Sequence, residues 1–322
     1  MINIRIFVSR RLDIDSLNIS NPLYIPVHCG AFRQSITSPY LGDNTGDNIS
    51  EKQPYYSELT VQYWAWKNQQ ADYYGLCHYR RYLSFSDRRY RTNEQNMVVE
   101  PILSPGAIRR HKLMDSSKMQ SVISKYDAIV SESVDVTKIP IPSGGFPKTV
   151  RELWEGHNGV FIYKKDLNVL LQVIHDLHPE YMDSALKYLS GSAHRGYNCY
   201  ILRRDLFFTM CQFQFDVLDE LERRIDISTY QGNLKRVFGY MGEIMYGIYI
   251  YDLQQKGIYK VQELQLVYFE ETRQLKNFMH RVWLIALAYL TFALRHSSEI
   301  ILPKGSVRRE KVKKFIKRLR GI

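Results

Sequence analysis

Tyr74-Gly75-Leu76-Cys77-His78-Tyr79-Arg80-Arg81-Tyr82 is the stretch on which the reading of the fold turns. Its first four residues are uncharged and mostly apolar, as in a short buried strand, and they deliver a histidine and two arginines at the strand's C-terminal end. Ile4–Val8 and Tyr24–Val27 upstream, and Asp127–Ser131 and Asn198–Leu202 downstream, have the same character. Helical periodicity fills the intervals, at Ser57–Asn68, Ser116–Lys125, Thr149–Glu155, Lys165–Leu177, Pro179–Leu189, Asp205–Arg224 and Gly242–Gln255. Strands separated by helices over roughly 250 residues predict an α/β domain with a mainly parallel central sheet. Ligands of such sheets bind beyond the C-terminal strand ends. The expected site therefore combines His78–Tyr82 with the polar loop Gly42–Ser50. Ser84–Met97 is expected to be a loop, and the breaker cluster Pro140–Pro147 a loop near substrate.

The net charge is +11, but Lys304–Ile322 holds nine basic residues and one acid, so the rest carries only +3 (35 basic minus 32 acidic). Charge confined to a tail argues against a broad nucleic-acid surface. Trp283–Leu294 is apolar but too short for a bilayer, which needs about 20 residues. Beyond it, Val307, Val312, Phe315, Ile316 and Leu319 fall near one face of a basic amphipathic helix. Such a segment suits an anionic membrane surface, which it would meet through residues 280–320. The alternative is a helical hairpin packed on the domain. The expected division is 1–265 for the α/β domain and 266–322 for the helical extension. Cys29, Cys77, Cys199 and Cys211 are scattered, which reads as a reduced, cytoplasmic chain without disulfide framework or zinc site. The run before Arg10-Arg11 is too short for a signal peptide.

On chemistry, alternate residues of an extended segment face one way, so His78 and Arg80 are predicted to project together as a clamp for a diphosphate. The alternative is a structural arginine–carboxylate network. Glu243 either complements a helix dipole or is a tuned carboxylate base. The lone histidines His157 and His194 read as structural, and Asp13-x-Asp15 as coincidental spacing.

Several motifs stand in order: Asp47-Asn48-Ile49-Ser50-Glu51-Lys52; Glu58-Leu59-Thr60 with Tyr63–Asn68; Gly75–Tyr82; Gly196–Leu202; and Arg236–Glu243. Together they resemble, over roughly residues 2–260, a bacterial family of capsule and exopolysaccharide gene clusters. It was long catalogued as a domain of unknown function and is regarded as a glycosyltransferase family. The resemblance implies a GT-A-like, Rossmann-type domain acting on a UDP-sugar, with galactose in pyranose or furanose form the expected sugar. The acceptor implied is a polyprenyl-diphosphate-linked glycan in capsule, exopolysaccharide or O-antigen synthesis, and the enzyme would lie peripherally on the inner face of the cell membrane. The usual Asp-x-Asp of that fold is missing, and His78-Tyr79-Arg80 occupies its place, so no metal ligands are assigned, although Mn or Mg use stays open. The implied donor contacts are His78, Arg80 and Arg81 on the diphosphate with Lys52 assisting, and Asp43, Asp47 and Asn48 near the nucleoside or a metal. Glu243 is the implied base, with Tyr197, Asn198 and His157 on the acceptor side. The rival functions are a non-catalytic polysaccharide-assembly or membrane-binding partner and another phosphate-handling enzyme.

Overall fold

Buried side chains alternate along the central strands, so the sheet carries an apolar core on each face. The computed structural model describes residues 2–33, 39–274, 279, 282–290, 292 and 312. Its strands are β1 (Ile4–Arg10), β2 (Tyr24–His28), β3 (Leu41–Gly42), β4 (Tyr73–His78), β5 (Arg81–Leu83), β6 (Met97–Ile102), β7 (Ala128–Ser131), β8 (Val134–Asp135), β9 (Ala193–His194), β10 (Tyr200–Arg203), β11 (Val261–Leu264) and β12 (Leu266–Glu271). The main sheet runs β11-β7-β10-β4-β1-β2-β3, with β5 on β4 and β12 joining β5 to β6. Five pairings are parallel. The antiparallel ones involve β10, wedged between β4 and β7, and β5. The expected mainly parallel α/β architecture is thus present.

The helices are α1 (Gln53–Tyr56), α2 (Leu59–Asn68), α3 (Pro105–Arg110), α4 (Ser116–Ile123), α5 (Val150–Glu155), α6 (Lys164–Leu177), α7 (Met182–Ser190), α8 (Arg204–Arg224) and α9 (Val237–Lys256). One sheet face presents Phe7, Tyr74, Leu76, Tyr200 and Leu202 to a core shared with α2 and α6–α9. The other presents Ile4, Ile6, Val8, Cys77 and Ile201 to α3, α4, β6 and β12. This period of two is what a strand covered on both faces requires. All four cysteines are buried and unpaired.

Two features go beyond the expected layout. The sheet runs to Glu271, past the expected boundary at 265, because β12 pairs with β5 and β6. Ser84–Asn96 is a loop, as expected, and it leads into β6, a strand hidden in the sequence by Glu100 and Pro101. Toward the C-terminus, residues 282–290 are helical, with Leu284 and Ala288 buried and Tyr289 and Leu290 exposed. Among the described residues no helix is long and apolar enough to cross a membrane. The basic segment 307–319 lies, Val312 apart, outside the described residues.

Asp43 organises the loop after β3. Its fully buried carboxylate accepts the N–H groups of Gly30 (2.8 Å) and Ala31 (2.9 Å) and the hydroxyls of Ser50 (2.5 Å) and Thr60 (2.6 Å). Four donors fill the lone-pair positions of a carboxylate. Asp43→Ala strands all four, and we expect a loss of about 3–5 kcal/mol in urea unfolding. A change below about 1 kcal/mol would show that the loop is held elsewhere.

Candidate active site

β4 does not continue straight through the arginines. His78 pairs with Arg81 across a two-residue turn at Tyr79-Arg80, and the chain folds back as β5. The expected shared projection of His78 and Arg80 along one extended segment is therefore corrected: the cross-strand pair is His78 with Arg81. The Arg80 N–H approaches His78 Nδ1 at 3.4 Å, which makes Nδ1 an acceptor and leaves the ring proton on Nε2. Burial, then Arg81, Arg80, Arg236 and Arg11, holds the His78 imidazole well below its usual pKa. His78 is a neutral N–H donor at pH 7, and the positive charge belongs to the arginines.

Arg81 lies over Tyr197 at 4.6 Å and near Tyr268 at 5.7 Å, and Arg80 lies over Tyr79 at 5.3 Å. Nε of both Arg80 and Arg81 is buried without a hydrogen-bond partner. Arg236 donates from Nε to Ser57 Oγ at 2.7 Å and lies over Tyr240 at 5.5 Å. Among the described residues none of these three guanidiniums has a carboxylate oxygen within 4.0 Å, whereas Arg89, Arg110, Arg151, Arg195, Arg203, Arg223, Arg224 and Arg273 all do. Three arginines gathered without a direct ion pair, with Glu243 and Glu271 within electrostatic reach, are suited to an anion, since guanidinium forks match phosphate oxygens.

Opposite them stands Glu243. The helix that carries it begins at Val237, so Glu243 lies beyond the first turn and the dipole reading lapses. Two glycines bring α9 close to α1 and α2: a Cβ on Gly239 would sit 3.1 Å from Ser57 Oγ, and one on Gly242 would overlap Leu59. That approach sets Glu243 beside Glu58. Burial first, then Glu58, raises the Glu243 carboxyl to about 7, while Arg81, Arg236 and the Tyr197 N–H pull the other way. An acid titrating near neutrality is matched to proton transfer.

The third wall is the turn before β10. Tyr197 (φ 72°) and Asn198 (φ 40°) both adopt left-handed backbone, an uncommon state for such residues. The turn aims the Tyr197 N–H at Glu243 and Asn198 Nδ2 at Glu58 Oε1, 3.1 Å away. Gly196 allows a close approach there: a Cβ would lie 3.0 Å from His194 Nε2 and 3.3 Å from Glu243 Oε2. His194 itself is buried, hydrogen-bonded to Tyr188 Oη at 2.7 Å, and pushed down to about 4 by burial and then Arg195. Glu58→Gln removes the like charge, so Glu243 should titrate lower. We expect the acidic limb of a turnover–pH profile to move to lower pH; an unmoved limb would mean that Glu58 does not reach the reacting proton.

The structure thus gathers His78, Arg80, Arg81, Tyr197, Asn198 and Glu243. It does not bring the other expected donor residues to them. Asp43 is filled by its four donors. Asp47 accepts from Tyr63 Oη (3.1 Å) and is tied to Asn68, at the far end of α2 from Glu58, about 15 Å along a ten-residue helix. Asn48 bonds within its own loop, to Gly46 O and Ser50 N. Lys52 is engaged by Glu222 on α8 at 2.7 Å. His157 donates from Nδ1 to Leu153 O at 2.7 Å and stacks on Phe161, outside the charged cluster. Arg236 and Glu58 were missed as site residues. Arg236 stands seven residues before Glu243, on the same helix face, and that spacing was a readable signal. Two concavities lie away from this cluster: a small one of about 10 Å³ near Tyr24 and Cys77, and an open groove of about 520 Å³ at Asp72, Tyr73 and Arg203–Asp205, by the opposite strand ends.

No three His, Cys, Asp or Glu side chains among the described residues converge as a metal-ligand set. The donors at the β4 end do not fit a divalent cation, because Arg80, Arg81 and Arg236 repel one there.

Comparison with known proteins gives two matches. A family model described as a domain of unknown function, DUF4422, matches residues 5–255. The solved structure of the WbbM bifunctional glycosyltransferase, in its apo form, superposes with a TM-score of 0.76 at 29% identity, over 86% of this chain and 47% of that one. The chain therefore spans about half the length of the bifunctional protein. No curated protein sequence matches it.

Proposed function

The chain belongs to the DUF4422 family, and from that premise, with its fold shared by a bifunctional glycosyltransferase, we propose that it is itself a glycosyltransferase, of GT-A type, using a UDP-sugar donor. The observation that carries this reading is the cluster of three arginines without a direct ion pair among the described residues, Arg80, Arg81 and Arg236, beside a carboxyl at Glu243 raised to about 7. In the proposed reaction the bond from the sugar's anomeric carbon to the β-phosphate oxygen breaks. The arginines and the neutral His78 N–H take up the negative charge of the departing diphosphate. An acceptor hydroxyl forms the new bond to that carbon, and its proton passes to Glu243. No step is routed through a metal.

The finer assignments are proposals of the same reading. The sugar is a hexose, galactose in pyranose or furanose form, and the acceptor is a polyprenyl-diphosphate-linked glycan of a surface polysaccharide. Association with the inner face of the cell membrane would use the exposed Tyr289, Leu290 and Phe292 with the basic stretch 304–320. Sedimentation with phosphatidylglycerol vesicles, lost at high salt, is the expected result.

The deciding experiment is thermal stabilisation by UDP, GDP, CMP and ADP, each with EDTA or Mn²⁺, followed by transfer from labelled UDP-galactose. A selective UDP shift that survives EDTA supports the arginine-held diphosphate. A shift that needs Mn²⁺ keeps the enzyme class and removes the metal-free contact. No shift with any nucleotide would transfer the weight to a non-catalytic glycan-binding partner.

A further inference from the structure

Outward from Glu243 runs a row of aromatic rings that the reaction itself does not use. Tyr240 lies one turn before Glu243 on α9, close enough for its phenol to respond to Glu243 and Glu58. Phe161 packs on Tyr240 with centroids 4.9 Å apart, and His157 stacks on Phe161 at 4.9 Å and 18°. Trp154 backs the row, 6.1 Å from Tyr240, and its buried indole N–H has no hydrogen-bond partner. Tyr240 and Phe161 pack on the edge of the larger core, and both, like His157, are partly exposed. His157 gives its Nδ1 proton to Leu153 O, which leaves Nε2 as an outward acceptor. The Pro140–Pro147 loop packs Ile141 against Gly156, next to His157, and exposes Phe146.

Aromatic faces beside a charged reaction centre do not suit a second anion. They suit a ring with apolar C–H faces and a rim of hydroxyls, held by stacking and by a few polar groups. We propose that His157, Phe161 and Tyr240 form the subsite that stacks the acceptor carbohydrate, with the sugar on Tyr240 presenting its hydroxyl to Glu243 and the chain continuing outward past Phe161. The inference rests on the glycosyltransferase reading and its glycan acceptor, and deepens it by naming the side chains that hold the acceptor sugar. It also assigns two residues, Phe161 and Tyr240, that the family motifs did not mark as site residues.

The test is saturation transfer by NMR on the full chain, from protein aromatic protons to the ring C–H protons of octyl galactoside, glucoside, N-acetylglucosaminide and rhamnoside. At least one glycoside should receive transfer in the wild type, and Phe161→Ala should reduce it about fivefold. Phe161→Leu keeps apolar bulk without the ring, and should lose the transfer while melting within a few degrees of the wild type. Equal transfer in Phe161→Ala, Phe161→Leu and Tyr240→Ala would overturn the subsite, as would no transfer to any of the four glycosides. UDP stabilisation of the wild type is read separately. Its absence is the failure of the glycosyltransferase reading, whereas its presence with unaffected glycoside contact is the failure of this subsite alone.

Discussion

Arg81→Ala is expected to abolish stabilisation by UDP and to lower sugar transfer by about 10²–10³-fold. The side chain is held between Tyr197 and Tyr268, its Nε is buried without a partner, and no carboxylate lies within 4.0 Å among the described residues. Its charge acts on Glu243 at longer range but makes no direct ion pair, so the guanidinium fork is open to an anion, and removing it loses an interaction that grows as the leaving diphosphate gains charge. Arg81→Lys should recover only part of the loss, because an ammonium lacks the planar fork that meets two phosphate oxygens. A second readout separates this role from simple misfolding. Arg81 also holds the Glu243 carboxyl down, so its loss should raise that pKa and move the acidic limb of the pH profile to higher pH. If Arg81→Ala transferred sugar within threefold of the wild type, the arginine-held diphosphate would be abandoned.

Glu243→Gln should have opposite effects on activity and stability. Without a carboxylate to take the acceptor proton, turnover should fall by about 10²–10⁴-fold at pH 7. The folded protein should nevertheless become more stable above neutral pH. A carboxyl moved from its ordinary 4.5 to about 7 favours the folded state least once it ionises. Stability linked to it is fully present below pH 4.5 and is lost as pH rises through about 7. At pH 8 the ionised group costs the wild type up to about 3 kcal/mol, and less where water reaches the half-buried carboxylate. Urea unfolding at pH 8 and pH 4 measures the difference: the glutamine variant should gain at pH 8 and converge with the wild type at pH 4. An equal gap at both pH values would mean that Glu243 is not the titrating group.

Much of the fold was legible locally. β1, β4, β7 and β10 are short apolar runs bounded by polar residues, α6 to α8 carry periodic patterns, and α9 is apolar nearly all round, so burial alone identifies most of each. β6 escaped because Glu100 and Pro101 interrupt its apolar character, and β12 because its apolar run, Leu266–Phe269, is only four residues long and follows polar residues with no turn signal. Those strands are stabilised by pairing with each other and with β5, which a local window does not see.

The site divides in the same way. The chain by itself determined that a strand ends in His78-Tyr79-Arg80-Arg81 and that Glu243 lies seven residues after Arg236, because both follow from contiguous sequence. Only the tertiary structure decided that the strand turns back at Tyr79-Arg80, that His78 is neutral, and that Lys52, Asp47 and Asn48 are occupied elsewhere. It alone set Glu58 beside Glu243, since Gly239 and Gly242 matter only once α9 meets Ser57 and Leu59. A pKa is the sum of burial and neighbouring charge, and both are properties of packing between segments distant in the chain.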